Sequence, residues 1–489
     1  MIWIGYLCLC ALALLVVLLL VAVLRTALMK QPAPYVEQET QFDKKLLDNY
    51  GAQFGSLIKI PTVSKNEDDD LSMFYKYHEQ LEKVFPLCHK TLEKTVLRGT
   101  LLYRWKGTDP SAMPILVMGH QDVVPATDDG WKVPAFSGQV VDGAVYGRGS
   151  LDSKCNTFVQ LSAIEQLLKQ GYTPKCDIYV EASINEETSG DGSPGAVRYL
   201  KEKGISLSLV LDEGGTIIEE AMKGLNRPFA VLGITEKGYM DVKITARSAG
   251  GHSSTPPSNT TVIRLAKFMT EVNRRKPFKK ELLPQVKEMF SQMAPCLGFG
   301  MRLLLGNLWL FGPLLKAVMP KISPFGEALL CTTCTFTIMK GSDAANVIPN
   351  EAYVVANLRP SVHQNCSESL AVLKKIADKY NLELGVISMR DASPLVSTKT
   401  PIYSYLTKSI NHCFPGIGVS PYVIMGGTDC RHFYEVTDNA IRFSPIRMNS
   451  QQTESCHGIN ENVYIASLAE GIEFFKYFIK NYEPEKKQA

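Results

Sequence analysis

Between residues 113 and 212, apolar runs of strand length alternate with stretches of helical periodicity, and each apolar run leads into a carboxylate or an imidazole. Ile115-Leu116-Val117-Met118 precedes His120-Gln121-Asp122, the run 178–184 precedes Glu186-Glu187, and Leu209-Val210-Leu211 precedes Asp212-Glu213. Apolar runs without polar alternation belong to strands buried on both faces, so helices must cover the sheet above and below. The alternation predicts an α/β fold with a mainly parallel, doubly covered sheet. In such sheets ligands collect beyond the carboxyl ends of the strands, where these acids and this histidine fall.

The stretch 155–170 reads as an amphipathic helix, with Phe158, Leu161, Ile164 and Leu168 on one side and Gly171 as its stop. From Tyr239 the texture changes to an alternating strand, a Gly-rich turn, a long helix and a second alternating strand at 353–358. This predicts a catalytic domain over 42–236 that resumes at 393–482, with a smaller α+β lid or dimerisation domain inserted at 237–392. His457 then returns to the first domain.

A chain of 489 residues fills more than one core, and its net charge of +3 gives no nucleic-acid footprint. Residues 1–24 carry no charged side chain, enough to cross a hydrocarbon layer that needs about 20 apolar residues. A single-pass transmembrane anchor is the reading, with 25–41 as a linker; a signal peptide, which usually starts basic, is the alternative. Arg25, Lys30, Lys44 and Lys45 would keep the body cytoplasmic, whereas Asn259-Thr260-Thr261 and Asn365-Cys366-Ser367 are glycosylation-type triplets, so the side of the membrane stays open. The twelve cysteines are spread widely, and Cys331-Thr332-Thr333-Cys334 lacks the second pair of a zinc ribbon, so reduced buried thiols are expected.

Two histidines and several carboxylates at separate strand ends suit a pair of borderline-hard divalent ions such as zinc. His120 and Asp122, two apart, can point to one side, where the acid would orient the imidazole; alone, His-x-Asp is equally a solvated turn. Asp152, in Gly147-Arg148-Gly149-Ser150-Leu151-Asp152, can bridge two ions about 3.5–4 Å apart or cap the helix that follows. Adjacent carboxylates at Glu186-Glu187 repel unless a cation sits beside them. One can ligate while the other takes a proton from an activated water. A serine nucleophile beside His252 lacks a Gly-x-Ser-x-Gly elbow, and Cys456 beside His457 would point away from it.

In combination, His-x-Asp, Gly-Arg-Gly-x-x-Asp, Glu-Glu, Asp-Glu-Gly and the late His457 resemble the dinuclear zinc metallopeptidases that include aminoacylase, carboxypeptidase S and bacterial dipeptidases. The resemblance spans about residues 45–480. It implies two zinc ions per subunit, one held by His120, Asp152 and an acid of the Asp212-Glu213 pair, with Asp212 preferred. Asp152, Glu187 and His457 would hold the other, Glu186 would be the general base and Asp122 would support His120. It further implies that His252, in 249–254, reaches the active site of a partner subunit in a homodimer and hydrogen-bonds the oxyanion. Asn346 and Arg359 resemble substrate-holding positions, and Gly427, in Gly426-Gly427-Thr428-Asp429, resembles the family's loop that lines the substrate carboxylate pocket. Ser150 and Ser153 stand where relatives often carry Ala and Asp.

Residues 282–330 hold more Met, Leu and Phe than a small lid needs for its own core, which fits either a packed helical pair or a pocket for an acyl chain. The run Asn307-Leu308-Trp309-Leu310-Phe311 resembles the N-fatty-acyl-amino-acid synthase/hydrolase and carboxypeptidase S branch of that family. The expectation is a zinc-dependent hydrolase of N-acyl amino acids, reversible in principle. Two alternatives are a carboxypeptidase or dipeptidase of short peptides and a membrane-tethered binding protein without turnover.

Overall fold

A computed structural model describes residues 2–37, 41–65 and 70–487. The uncharged N-terminal run forms one helix, Ile2–Leu28, about 40 Å long at its rise per residue. It is apolar and long enough to cross a membrane. From Trp3 onward its side chains are mostly exposed, while Ala22 and Thr26 are buried.

A ten-stranded sheet organises the body. At its centre Ile178–Ser183, Ile115–His120, Leu209–Asp212 and Ala440–Arg442 run parallel. His120 pairs with Ser183 and Val117 with Leu211, so three of the acid and imidazole motifs leave the sheet at one edge. The sheet is mixed rather than mainly parallel. Thr100–Trp105 runs antiparallel to both Ile178–Ser183 and Glu93–Leu97, and Phe229–Glu236 runs antiparallel to Ala440–Arg442. One cause is local: Arg98 and Gly99 take φ of 48° and 94°, the left-handed pair of a two-residue hairpin turn, which reverses the chain too tightly for a crossover.

Both faces of the sheet are covered, and the apolar runs explain why. Ile115 and Val117 enter a core with Phe158, Leu161, Phe474 and Phe478, while Leu116 and Met118 enter another with Val197, Leu200 and Phe433. Successive strand residues serve opposite layers. Helix Lys154–Lys169 is buried along most of its length, and truncating Leu161 to Ala there would cost about 2–5 kcal/mol.

Tyr239–Arg247, Thr333–Lys340, Glu351–Arg359 and Glu383–Arg390 form a separate four-stranded antiparallel sheet. Helices Thr261–Arg275 and Cys366–Ala377 cover it around a core that includes Phe268, Val354 and Leu373. The intervening helices do not join that core. Pro284–Met293 and its neighbours pack Met289, Phe290 and Met293 against Phe229, Val231 and Val423 of the large sheet. All twelve cysteines are free thiols.

Candidate metal centre

His120 ends its strand 2% exposed. Its Nδ1 lies 2.9 Å from the Asp122 carbonyl oxygen and 3.4 Å from a carboxylate oxygen of the same residue. Nδ1–H donating there leaves the Nε2 lone pair to face Asp152 Oδ1 at 2.9 Å and Glu213 Oε1 at 3.4 Å. The Asp122 carboxylate also accepts the backbone N–H groups of Glu186 and Glu187, each at 3.2 Å. One acid thus sets both the imidazole and the Glu-Glu turn.

Asp152 stands between two histidines, its Oδ2 being 3.0 Å from His457 Nε2. Glu187 Oε2 is also 3.0 Å from that nitrogen, and buried Glu187 Oε1 has no hydrogen-bond partner among the described residues. Two donor sets result, His120 with Asp152 and Glu213, and Asp152 with Glu187 and His457; within each, all ligand atoms lie within 4.8 Å of one another. Asp152 belongs to both. It does not cap the following helix, which begins after Ser153 without a side-chain cap.

Glu213, rather than the preferred Asp212, lies with the donor atoms of His120 and Asp152. Asp212 is the last residue of its strand and turns away, its carboxylate accepting the N–H groups of Glu213 and Cys430, each at 2.8 Å. Neighbouring side chains at a strand end point to opposite sides, and here the second one faces His120.

The electrostatics mark a site short of positive charge. Burial and the Asp152 charge push Glu213 up to about 8, and burial with Asp429 raises Glu186 well above the usual carboxylate range. Burial opposes a charge on His120, yet Glu213, Asp122 and Asp152 outweigh it and raise its pKa. Hydrogen bonds to Asp152 and Glu187 lift His457 to about 10. Divalent cations would relieve this crowding and occupy the partnerless oxygen, and imidazole plus carboxylate is a donor set that zinc accepts.

Residues that sequence reasoning missed hold the loops together. Arg148 Nη1 pairs with Glu461 at 2.7 Å, while its Nη2 donates to the carbonyls of His457 and Gly458 at 3.1 and 2.9 Å. Glu461 accepts the Leu151 and Asp152 N–H groups at 2.8 and 3.2 Å. The Asp152 loop and the His457 turn are therefore tied by one buried ion pair. Arg148 stood inside the Gly-Arg-Gly motif, but nothing in the sequence joined it to Glu461.

A Cβ on Gly427 would stand 3.1 Å from Arg431 Nη1 and 3.2 Å from Arg390 Nη2, so this glycine leaves room between two guanidinium groups. Arg431 is 3.7 Å from Glu186, and its buried Nε and Nη2 are without partners among the described residues. Neither arginine was singled out from the sequence. Arg359 lies over the Tyr239 ring at 4.7 Å. His252 is exposed, with Nδ1 2.8 Å from Ser254 Oγ, and Asn346 beside it accepts the Ser253 N–H. No hydrogen bond or ion pair among the described residues joins His252 or Asn346 to the metal-binding groups.

A cavity of about 500 Å³ adjoins the centre. Asp152, Glu213, Gly427 and Thr428 line one part of it, and Met222, Met289, Phe290, Met293, Phe325 and Tyr422 line another. A larger polar cleft of about 930 Å³ lies near the strand starts at Pro114, Asp177 and Ser208 and contains none of the metal-binding groups.

The family model described as Peptidase family M20/M25/M40 matches residues 116–481. The chain is 32% identical over 436 residues to the N-fatty-acyl-amino acid synthase/hydrolase PM20D1 of Xenopus tropicalis, covering 87% of this chain and 84% of that protein. It is 33% identical over 432 residues to the probable carboxypeptidase S-like 2 of Dictyostelium discoideum, covering 86% and 83%. An M20 family metallo-carboxypeptidase from Sulfolobus solfataricus shares the fold, with a TM-score of 0.64 at 18% identity over 90% of this chain and 99% of that one.

Proposed function

Because the chain belongs to the M20/M25/M40 peptidase family and is a metal-dependent hydrolase of amide or peptide bonds, we propose that it binds two zinc ions and cleaves N-acyl amino acids with long apolar acyl groups. The observation that carries the substrate class is the cavity, whose wall passes from Asp152 and Glu213 to Met289, Phe290 and Met293. Methionine and phenylalanine accept a flexible hydrocarbon chain without fixing its shape.

His120, Asp152 and Glu213 would hold one ion, and Asp152, Glu187 and His457 the other. Bound there, the ions would supply Lewis acidity and lower the pKa of water. Glu186 takes the proton of the attacking water and delivers it to the leaving nitrogen. Arg390 and Arg431, on either side of Gly427, receive the free carboxylate of the amino acid, Arg because its planar fork matches two oxygens. Asn346 and Arg359 contact the substrate, and His252 serves the site of a second copy across a homodimer formed by the inserted 237–392 region. The same groups acting in reverse join a fatty acid to an amino acid. Ile2–Leu28 anchors the enzyme in a membrane.

The test compares the zinc-loaded enzyme on an N-oleoyl amino acid, an N-acetyl amino acid and a dipeptide. Faster turnover of the oleoyl amide is expected. Preference for the dipeptide would favour a carboxypeptidase or dipeptidase, and no turnover of any would favour a binding protein.

A further inference from the structure

The helices between 299 and 330 carry apolar surface that no other described residue covers. Phe299, Trp309, Leu314, Val318, Ile322 and Phe325 are each between 38 and 74% exposed. Across Leu308–Ile322 only Lys316 and Lys321 are charged. This helix and Phe299–Leu305 meet at a bend of 95°, so together they make a platform rather than a straight rod.

What adjoins the platform identifies its occupant. Asn307, buried at the bend, donates from Nδ2 to Thr26 Oγ1 at 2.9 Å and to Ala22 O at 3.3 Å, both in the apolar N-terminal helix. At Gly306 a Cβ would stand 2.6 Å from Met29 Cε, so the backbone lies directly against the end of that helix. Trp309 Nε1 donates to Asn307 Oδ1 at 3.2 Å, so an exposed indole is held by the residue that bonds to the N-terminal helix, whose last turn carries Arg25. Tryptophan and basic residues together mark the level where hydrocarbon meets headgroups.

The cavity reaches the same surface. Phe325, 48% exposed, lines it and stacks on Tyr422, another lining residue, with ring centroids 6.4 Å apart.

We infer that Phe299–Leu305 and Leu308–Ile322 form a second membrane contact, lying in the plane of the bilayer beside the anchor, and that the apolar cavity opens on to it at Phe325 and Tyr422 so that acyl chains enter from the lipid. This rests on the proposed readings of Ile2–Leu28 as an anchor and of an acyl substrate. A bilayer suits the face because an in-plane helix needs an apolar side and lysines that reach the headgroups.

The test uses the full chain with Trp3→Phe in phosphatidylcholine vesicles. Flotation with the vesicles reports on the anchor, and failure to float would remove the anchor reading and this inference together. In floating protein, brominated phosphatidylcholine should remove up to about a third of the emission, the share of one of the three remaining tryptophans, and none once Trp309→Phe is added. Quenching of Trp309 by iodide instead would place it in water, and protection from both quenchers would mean that a second copy covers it. Either outcome overturns the inference while leaving the anchor reading standing. For the entry route, Leu314→Glu with Ile322→Glu, neither lining the cavity, should slow turnover of vesicle-held N-oleoyl amino acid several-fold and leave N-acetyl amino acid unchanged. Equal rates on the vesicle-held substrate would overturn that route. No hydrolysis of either amide by the unmutated enzyme would refute the proposed substrate but not the quenching result.

Discussion

Asp152 Oδ2 lies 3.0 Å from His457 Nε2, joining a Gly-rich loop to a turn near the end of the chain. The other oxygen of the same carboxylate faces His120 at 2.9 Å. Asp152→Asn should therefore reduce occupancy at both positions and His457→Ala at one. Activity should fall by more than the ~10–100-fold typical of losing an outer partner of a metal ligand. Metal analysis by mass spectrometry on purified protein checks this, and full occupancy in Asp152→Asn would contradict a shared ligand.

Glu186→Gln keeps the shape of the side chain but cannot take a proton. Metal content should be unchanged while kcat falls roughly 10²–10⁴-fold. A kcat within a factor of a few of the parent would assign the base elsewhere.

Glu213 and Asp212 are adjacent but face different surroundings. Glu213→Gln should weaken metal binding, read by chelator competition. Asp212→Asn should leave metal binding largely intact and lower stability by about 1–3 kcal/mol, read by urea unfolding, because two backbone donors lose a charged acceptor. The opposite pattern would restore Asp212 as the ligand.

Met293 lines the apolar part of the cavity. Met293→Trp adds bulk costing about 1–3 kcal/mol when a long chain must share the space, or about tenfold in kcat/KM for the N-oleoyl substrate. The N-acetyl substrate should be unaffected. Equal losses on both would separate the cavity from the acyl chain.

His78 is buried with Nε2 3.0 Å from Gln121 Oε1, and burial pushes its pKa from 6.5 down to about 4. Between these values the unfolded chain takes a proton that the folded one refuses. Its contribution is complete above pH 6.5 and is lost as pH falls toward 4, with a slope of about 1.4 kcal/mol per pH unit. His78→Phe should remove that part of the pH dependence of unfolding; an unchanged slope would assign it to other groups.

Some of this was legible without a fold. Burying a strand on both faces demands apolar residues without alternation, so the run 115–118 revealed a covered strand. A pair of divalent ions demands imidazole and carboxylate, so His120, Asp152, Glu187 and His457 stood out by type and position. The antiparallel strands were harder to see, because parallel and antiparallel neighbours make similar demands on a buried strand's composition; the Arg98-Gly99 turn was the available sign.

What the sequence by itself determined is which side chains have the chemistry for a metal centre, because donor type and charge belong to the residue, and that residues 1–24 carry no charge. Only the tertiary structure decided which of Asp212 and Glu213 faces His120, since adjacent side chains diverge at a strand end and packing selects the direction. It also decided that Arg148 meets Glu461, that Arg390 and Arg431 flank Gly427, and that helix Pro284–Met293 walls a cavity beside the metal-binding acids. Those relations depend on distances between segments remote in the chain, which residue type and local spacing do not encode.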